Sequence, residues 1–364
     1  MTSTELFFDL VYVFAVTQLS HLLLERLSAR GALETAVLLA AVWWAWNYTA
    51  WATNWVDPDR PPVRALLIGL MLLSLIMSAA IPEAFRERGM QFAAAYVAMG
   101  VLRGGFMVYA LRGGRMSRNY AQLTAWTAIA GVSWIAGALV DGDARIGLWI
   151  LALLLDYAAP LHGFHLPGAG RTPTADWTLA GGHLAERGQL VVLIALGESL
   201  LAVGQTFAGL KPHTAEVAAF AVGFLMSVSL WGVYFIRSAQ EGARAVSEAA
   251  DPTRVARSAY AYAHGLMVGG VIVAAVGIDL AIAHPAGETA TATAATILGG
   301  PGLYLLGNAL FNWSLTGLPP TSRLAGVAVL AALSPVALVA GPAVLLGLAT
   351  LVVLALALAT GRPH

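Results

Sequence analysis

Cysteine is absent from the 364 residues, which excludes disulfides, thiolate metal sites and thiol nucleophiles together. Charge is scarce as well. Only 11% of residues are charged, against about 25% in a soluble globular domain, so there is too little polar surface to wrap a water-soluble fold of this length. Lysine occurs once, as Lys211, among 20 basic residues, a bias that fits a GC-rich bacterial genome. Net charge is zero and no basic block occurs, which argues against nucleic acid as a partner and against a polybasic lipid anchor.

Long apolar runs are plentiful. The chain is 59% hydrophobic with a mean hydropathy of +0.74, and a hydrocarbon core of ~30 Å needs roughly 20 apolar residues per helix. Twelve stretches qualify, at about 4–27, 33–55, 63–83, 89–111, 120–140, 146–164, 187–208, 214–236, 256–282, 291–315, 323–340 and 342–360. The expected fold is an all-α, polytopic transmembrane helix bundle forming a single integral membrane domain over 1–364. The third stretch reads GLMLLSLIMSA (69–79) and the ninth GLMVGGVIVAA (265–275), helices one and seven both carry acids, and Trp44 and Trp231 fall in helices two and eight. A six-plus-six repeat with halves 1–180 and 181–364 and an undivided bundle both remain open. No cleavable leader is expected, because the first apolar run contains two acids and lacks a basic start.

Orientation follows from the basic residues. With a cytoplasmic N-terminus, thirteen of them, including Arg112, Arg115, Arg118 and Arg362, fall in inside segments. Six fall outside, and Arg103 lies within a helix. The positive-inside rule then places both termini in the cytoplasm of a bacterial plasma-membrane protein.

Several charges sit at membrane depth, where each costs at least ~3 kcal/mol unless it faces a partner or a wet cavity. Glu5 and Asp9 fall in the inner half of the first helix. Asn47, Arg103, Asp156 and Asn308 fall near the inner ends of the second, fourth, sixth and tenth, and His264 enters from the inner end of the ninth. Glu198 sits near mid-depth. A polar chamber open to the cytoplasm, lined by these residues together with Trp51, accounts for the distribution, and equal depth makes an ion pair between Asp9 and Arg103 the expectation. Plainer readings exist for individual residues. Thr2 and Glu5 fit a capping box, and the tryptophans from Trp43 to Trp55 fit helix packing and interface anchoring as well as a ligand-stacking wall.

The segments ELFFDLVYVFAVTQLSHLL (5–23), WWAWNYTAWATNWVDPDR (43–60), LDYAAPLHGFHLPGAGRTPTADW (155–177), GGHLAERGQLVVLIALGESLL (181–201) and GPGLYLLGNALFNW (300–313) resemble the bacterial low-temperature-requirement A family of polytopic membrane proteins over most of the chain. That resemblance implies a growth phenotype in the cold and no substrate, reaction or catalytic residue. Metal chemistry has weak support. His162, His165, His183 and Glu186 carry i,i+3 spacings that zinc can use without cysteine, but the spacing is not HExxH, and helix-end capping explains it equally well. No metal or other cofactor is expected. Asp57-Pro58-Asp59-Arg60 is similar to the diphosphate-binding acidic motifs of prenyl-transfer enzymes, yet a proline turn accounts for it. Gly168 to Thr172 lacks the lysine of a P-loop. Two functions survive: transport or channel activity for an ion, proton or small polar solute, and a membrane-embedded enzyme acting on a lipid or prenyl substrate.

Overall fold

A computed structural model describes residues 1–177, 181–211 and 213–360; Arg362, counted above among the inside basic residues, lies outside them. The described elements are helical throughout. Helices α1 (Ser3–Glu25), α2 (Ala29–Ala52), α3 (Pro61–Ala80), α4 (Gly89–Ala110), α5 (Arg115–Ala138), α6 (Gly142–Ala158), α7 (Gly181–Ala208) and α8 (Thr214–Phe235) match the first eight stretches. A short helix α9 (Ser238–Glu248) follows, then α10 (Pro252–Ala256), which runs through a π-helical turn at Arg257–Ala263 into α11 (His264–Ala283). α12 (Thr291–Thr316), α13 (Thr321–Ala332) and α14 (Pro342–Thr360) complete the chain. Among the described residues, nine helical segments are long and apolar enough to cross a membrane. Phe7, Leu72, Val101, Phe224 and Leu351 are exposed on such helices, as expected of side chains whose solvent is lipid. The chain is an all-α polytopic membrane protein.

Two elements differ from the sequence reading. α9 falls where a loop was expected. With 11 residues and no apolar run it carries no membrane signal, yet it is amphipathic. Ala239, Gly242 and Val246 are buried on one face, while the pairs Arg237–Glu241 and Arg244–Glu248 lie i,i+4 on the other. The eleventh stretch is a 12-residue helix followed by a 3-10 turn at Ser334–Leu338, because Pro335 cannot continue the hydrogen-bond ladder.

Contacts divide the chain into two compact units, 1–22 with 29–184, and 23–28 with 185–364. In the first, α2 packs on α4 and α6, α3 on α4, α4 on α5 and α5 on α6. In the second, α8 packs on α12 and α14, α11 on α12, α12 on α13 and α13 on α14, with further contacts of α11 to α8 and α14.

Each unit has its own device for close approach. α11 and α12 meet backbone to backbone through glycines seven residues apart on each helix. A methyl built on Gly270 would lie 2.4 Å from the Tyr304 nitrogen, on Gly277 2.8 Å from that of Ile297, on Gly300 2.3 Å from that of Ala274, and on Gly307 2.7 Å from that of Met267. Small residues at this spacing let membrane helices gain dispersion contacts where lipid supplies no hydrophobic drive. In the first unit Arg145 does the joining. Its Nε reaches the carbonyls of Gly137 and Val140, its Nη1 those of Ala84 and Arg86, and its Nη2 the Asp141 carboxylate at 2.7 Å. One buried guanidinium thereby ties the α3–α4 turn to the α5–α6 turn and satisfies carbonyls that helix ends leave open.

Candidate functional site

In the first unit α4 carries Tyr96, Gly100 and Arg103 at i, i+4 and i+7, a spacing that sets them on one face. α2 brings Trp44, Ala45 and Tyr48, α5 brings Thr127 and Trp134, and α6 brings Asp156. Gly100 permits the closure, since a methyl there would lie 2.4 Å from Thr127 Cγ2. Arg103 is 3% exposed. Its Nη1 donates to the Ala45 carbonyl at 3.2 Å and to Thr49 Oγ1 at 3.1 Å, and its guanidinium lies 5.2 Å from the centre of the Tyr48 ring. Asp156, also 3% exposed, accepts at Oδ2 from Tyr96 Oη at 2.7 Å and from Trp134 Nε1 at 3.3 Å. Arg103 and Asp156 line one cavity with Trp44, Tyr48, Tyr96 and Thr127; measured by where the centre of a water molecule fits, its volume is about 10 Å³. That is room for about one water.

Glu5 and Asp9 go elsewhere. The capping box forms: Glu5 Oε2 accepts from the Thr2 nitrogen at 3.0 Å, and Thr2 Oγ1 accepts from the Glu5 nitrogen at 3.3 Å. Glu5 Oε1 also meets His183 Nε2 at 2.8 Å, so the first acid bridges to the start of α7. Asp9 accepts from Trp46 Nε1 at 2.8 Å. The expected Asp9–Arg103 ion pair is not formed. Both side chains are buried, but Arg103 turns to α2 and to the cavity it shares with Asp156. Asn47 is 2% exposed with its Oδ1 unpartnered, and Trp51 Nε1 is likewise unpartnered. The tryptophans of α2 and the turn after it pack on aromatic neighbours: Trp44 stacks on Tyr157 at 3.9 Å between ring centres, and Trp55 meets Tyr120 and Trp177 edge-on.

In the second unit Glu198 is 7% exposed and His264 and Asn308 fully buried. The π turn places the Ala259 carbonyl 2.9 Å from His264 Nδ1. A carbonyl can only accept, so Nδ1 carries the proton and Nε2 accepts from Tyr234 Oη at 2.8 Å. Asn308 Oδ1 accepts from Asn312 Nδ2 at 3.0 Å and Arg323 Nε at 3.2 Å, and Thr206 donates to Asp279. The nine chamber residues therefore divide between the units: Glu5, Asp9, Asn47, Trp51, Arg103 and Asp156 in the first, Glu198, His264 and Asn308 in the second. Of the first six, Arg103 and Asp156 share a cavity.

Among the described residues no group of three or more His, Asp or Glu side chains is placed to hold a metal ion. His162 caps α6 through Nδ1 at 2.9 Å from the Ala158 carbonyl, and His183 pairs with Glu5. Sequence reasoning missed Tyr48, Tyr96, Thr127, Trp134, Tyr234 and Arg323. For Tyr96 a signal existed, since it precedes Arg103 by seven residues on the same helical face; the others are ordinary membrane-helix residues until their neighbours are known.

A family model described as bacterial low temperature requirement A protein matches residues 1–358. An uncharacterized protein of Rhizobium meliloti (strain 1021) is 38% identical over 332 residues, which cover 90% of this chain and 81% of that protein. No solved structure matches the chain.

Proposed function

The chain belongs to the bacterial low temperature requirement A family, a name that carries no reaction, and from its buried charges we propose that it moves an ion, a proton or a small polar solute across the bacterial plasma membrane. The observation that carries this reading is Arg103 facing Asp156 across a water-sized cavity inside a helix unit. Burying two opposite charges without direct contact is a poor way to gain stability, because desolvation is incurred and close-range attraction is forgone. Ionisable groups held at such expense within membrane helices generally serve conduction or coupling. The recurrence of the same helix pairings in the two units supports a duplicated architecture of the kind many transporters use.

Flux is the direct test. Liposomes holding the purified protein should dissipate an imposed proton or potassium gradient, or take up a polar solute against one, faster than protein-free liposomes. Equal rates for every gradient tried would remove the transport reading. One observation favours the second reading, a lipid- or prenyl-directed enzyme: an open groove of about 530 Å³ lies between α12 and α13, apolar except for Thr289, Thr291 and Ser334. Among the described residues no acid, base or histidine lines that groove, so they offer an acyl chain a place but no chemistry.

The basic residues support a cytoplasmic location for both termini, most strongly Arg112 in the α4–α5 turn with Arg115 and Arg118 at the start of α5. Gly114 is exposed in the α4–α5 turn, where a methyl built on it would meet the Leu111 carbonyl at 3.5 Å, an ordinary contact, and it is a better reporter than Ser117, whose hydroxyl is bonded to the Val108 carbonyl. In this cysteine-free chain Gly114→Cys should resist an impermeant maleimide in intact cells and react after permeabilisation. Ready reaction in intact cells would invert the topology.

A further inference from the structure

Asp156 presents its two oxygens differently. Oδ2 is held by the Tyr96 hydroxyl and the Trp134 indole, while Oδ1 accepts no hydrogen bond from a described residue and is left to the cavity that Asp156 lines with Arg103. On the other side Arg103 spends only Nη1 on protein acceptors. An acceptor and a donor thus face the same small space from opposite charges. Its size decides what can stand between them. A volume of about 10 Å³ for the centre of a water is near the minimum that admits one water molecule, so a solute of several heavy atoms is excluded. A bare anion would meet the Asp156 carboxylate, and a bare cation the Arg103 guanidinium. Water, with donors and acceptors of its own, suits both walls.

We infer that Asp156 is a proton-binding site, exchanging one proton through a water molecule held between its Oδ1 and the Arg103 guanidinium. This deepens the transport reading by naming the proton as the species handled in the first unit, and its purpose rests on that reading. The neutral acid passes its proton to the water, which leaves as hydronium or hands the proton on. The carboxylate that remains is offset by Arg103, and uptake is the reverse. The titratable groups facing Asp156 are Tyr48 from α2 and Tyr96 and Arg103 from α4; α5 presents Thr127 and Trp134, neither of which carries charge. Among the described residues, Arg103 is therefore the one cation lining the site. Tyr96, bonded to Oδ2, orients the carboxyl so that Oδ1 is the oxygen left for exchange.

Infrared difference spectroscopy of the full chain in detergent, recorded over a series of pH values and repeated in D2O, tests this without requiring transport. The expected result is the C=O stretch of a neutral, buried carboxyl that gains intensity as pH falls, shifts in D2O, and is lost in Asp156→Asn. Asp156→Glu should retain a titrating band at a displaced frequency, and it decides the matter if the asparagine variant does not fold. Arg103→Gln should move the pH midpoint of the band. No Asp156-dependent band at any pH where circular dichroism shows the fold intact would overturn the proposal, as would a band that never titrates or a midpoint indifferent to Arg103. Liposome flux reads the wider proposal separately. A titrating Asp156 in a protein that passes nothing would leave the proton site standing and remove transport, whereas flux without such a band would do the reverse.

Discussion

Alanine at Gly300 is expected to lower the stability of the purified protein in detergent by about 1–3 kcal/mol, the usual range for forcing one extra carbon into a packed interior. The same change one residue earlier, at Gly299, should be neutral or stabilising. The two positions share a helix and a residue type and differ only in their neighbours. A methyl on Gly300 would sit 2.3 Å from the backbone nitrogen of Ala274 and 2.6 Å from its Cα, whereas nothing lies within 4 Å of one on Gly299. A flexible side chain could swing aside; backbone in the middle of α11 cannot, so the two helices must separate. Separation would also loosen Gly270 against Tyr304 and Gly307 against Met267, which lie in the same antiparallel register. At Gly299 the helix simply exchanges glycine for a better helix former, a gain of up to about 1 kcal/mol. Thermal or denaturant unfolding checks the contrast, and equal responses at both positions would mean that α11 and α12 are not in van der Waals contact here.

The helices were legible because length and apolarity are properties of a run. The Thr2–Glu5 capping box was legible too, since its partners are three residues apart and obey local geometry. What could not be read was azimuth. Sequence position sets how deep a residue lies along a helix, but not which way that helix is turned within its bundle. By sequence position Asp9 and Asp156 both fall at the same expected depth as Arg103, and depth alone favoured the wrong acid; in the structure Asp9 accepts from Trp46, and it is Asp156 that lines a cavity with Arg103. The π turn before His264 was invisible for a related reason. One extra residue in a turn leaves composition and periodicity almost unchanged, yet it sets the carbonyl of Ala259 against Nδ1 and so fixes which histidine nitrogen can accept from Tyr234. α9 escaped because a helix of alternating charge pairs, packed on its neighbours through Ala239, Gly242 and Val246, lacks the one signal that a search for membrane spans uses.

Two arginines buried to the same degree, Arg103 and Arg145, each 3% exposed, should respond in opposite ways to replacement by methionine. Arg145→Met removes the donor to four carbonyls and a carboxylate. Each buried acceptor left without a partner costs about 1–3 kcal/mol, so even partial rescue by water at the membrane edge leaves a loss of roughly 3 kcal/mol or more. Gly89 reflects the same fit, because a methyl built on it would lie 2.9 Å from the Arg145 guanidinium; the pocket is shaped to that group and not to a thioether. Arg103→Met removes far less. The Ala45 carbonyl keeps the Thr49 hydroxyl as a donor at 3.0 Å, no carboxylate loses a direct ion pair, and the desolvation of a guanidinium is relieved, so stability should hold within about 1 kcal/mol or rise. Activity should follow the opposite order, with Arg103→Met inactive while folded and any surviving Arg145→Met protein still competent. The pair of unfolding curves, read beside liposome flux, separates a charge kept for architecture from one kept for function. If Arg103→Met proved as destabilising as Arg145→Met, Arg103 would be a structural tie and the cavity it shares with Asp156 would lose its functional reading.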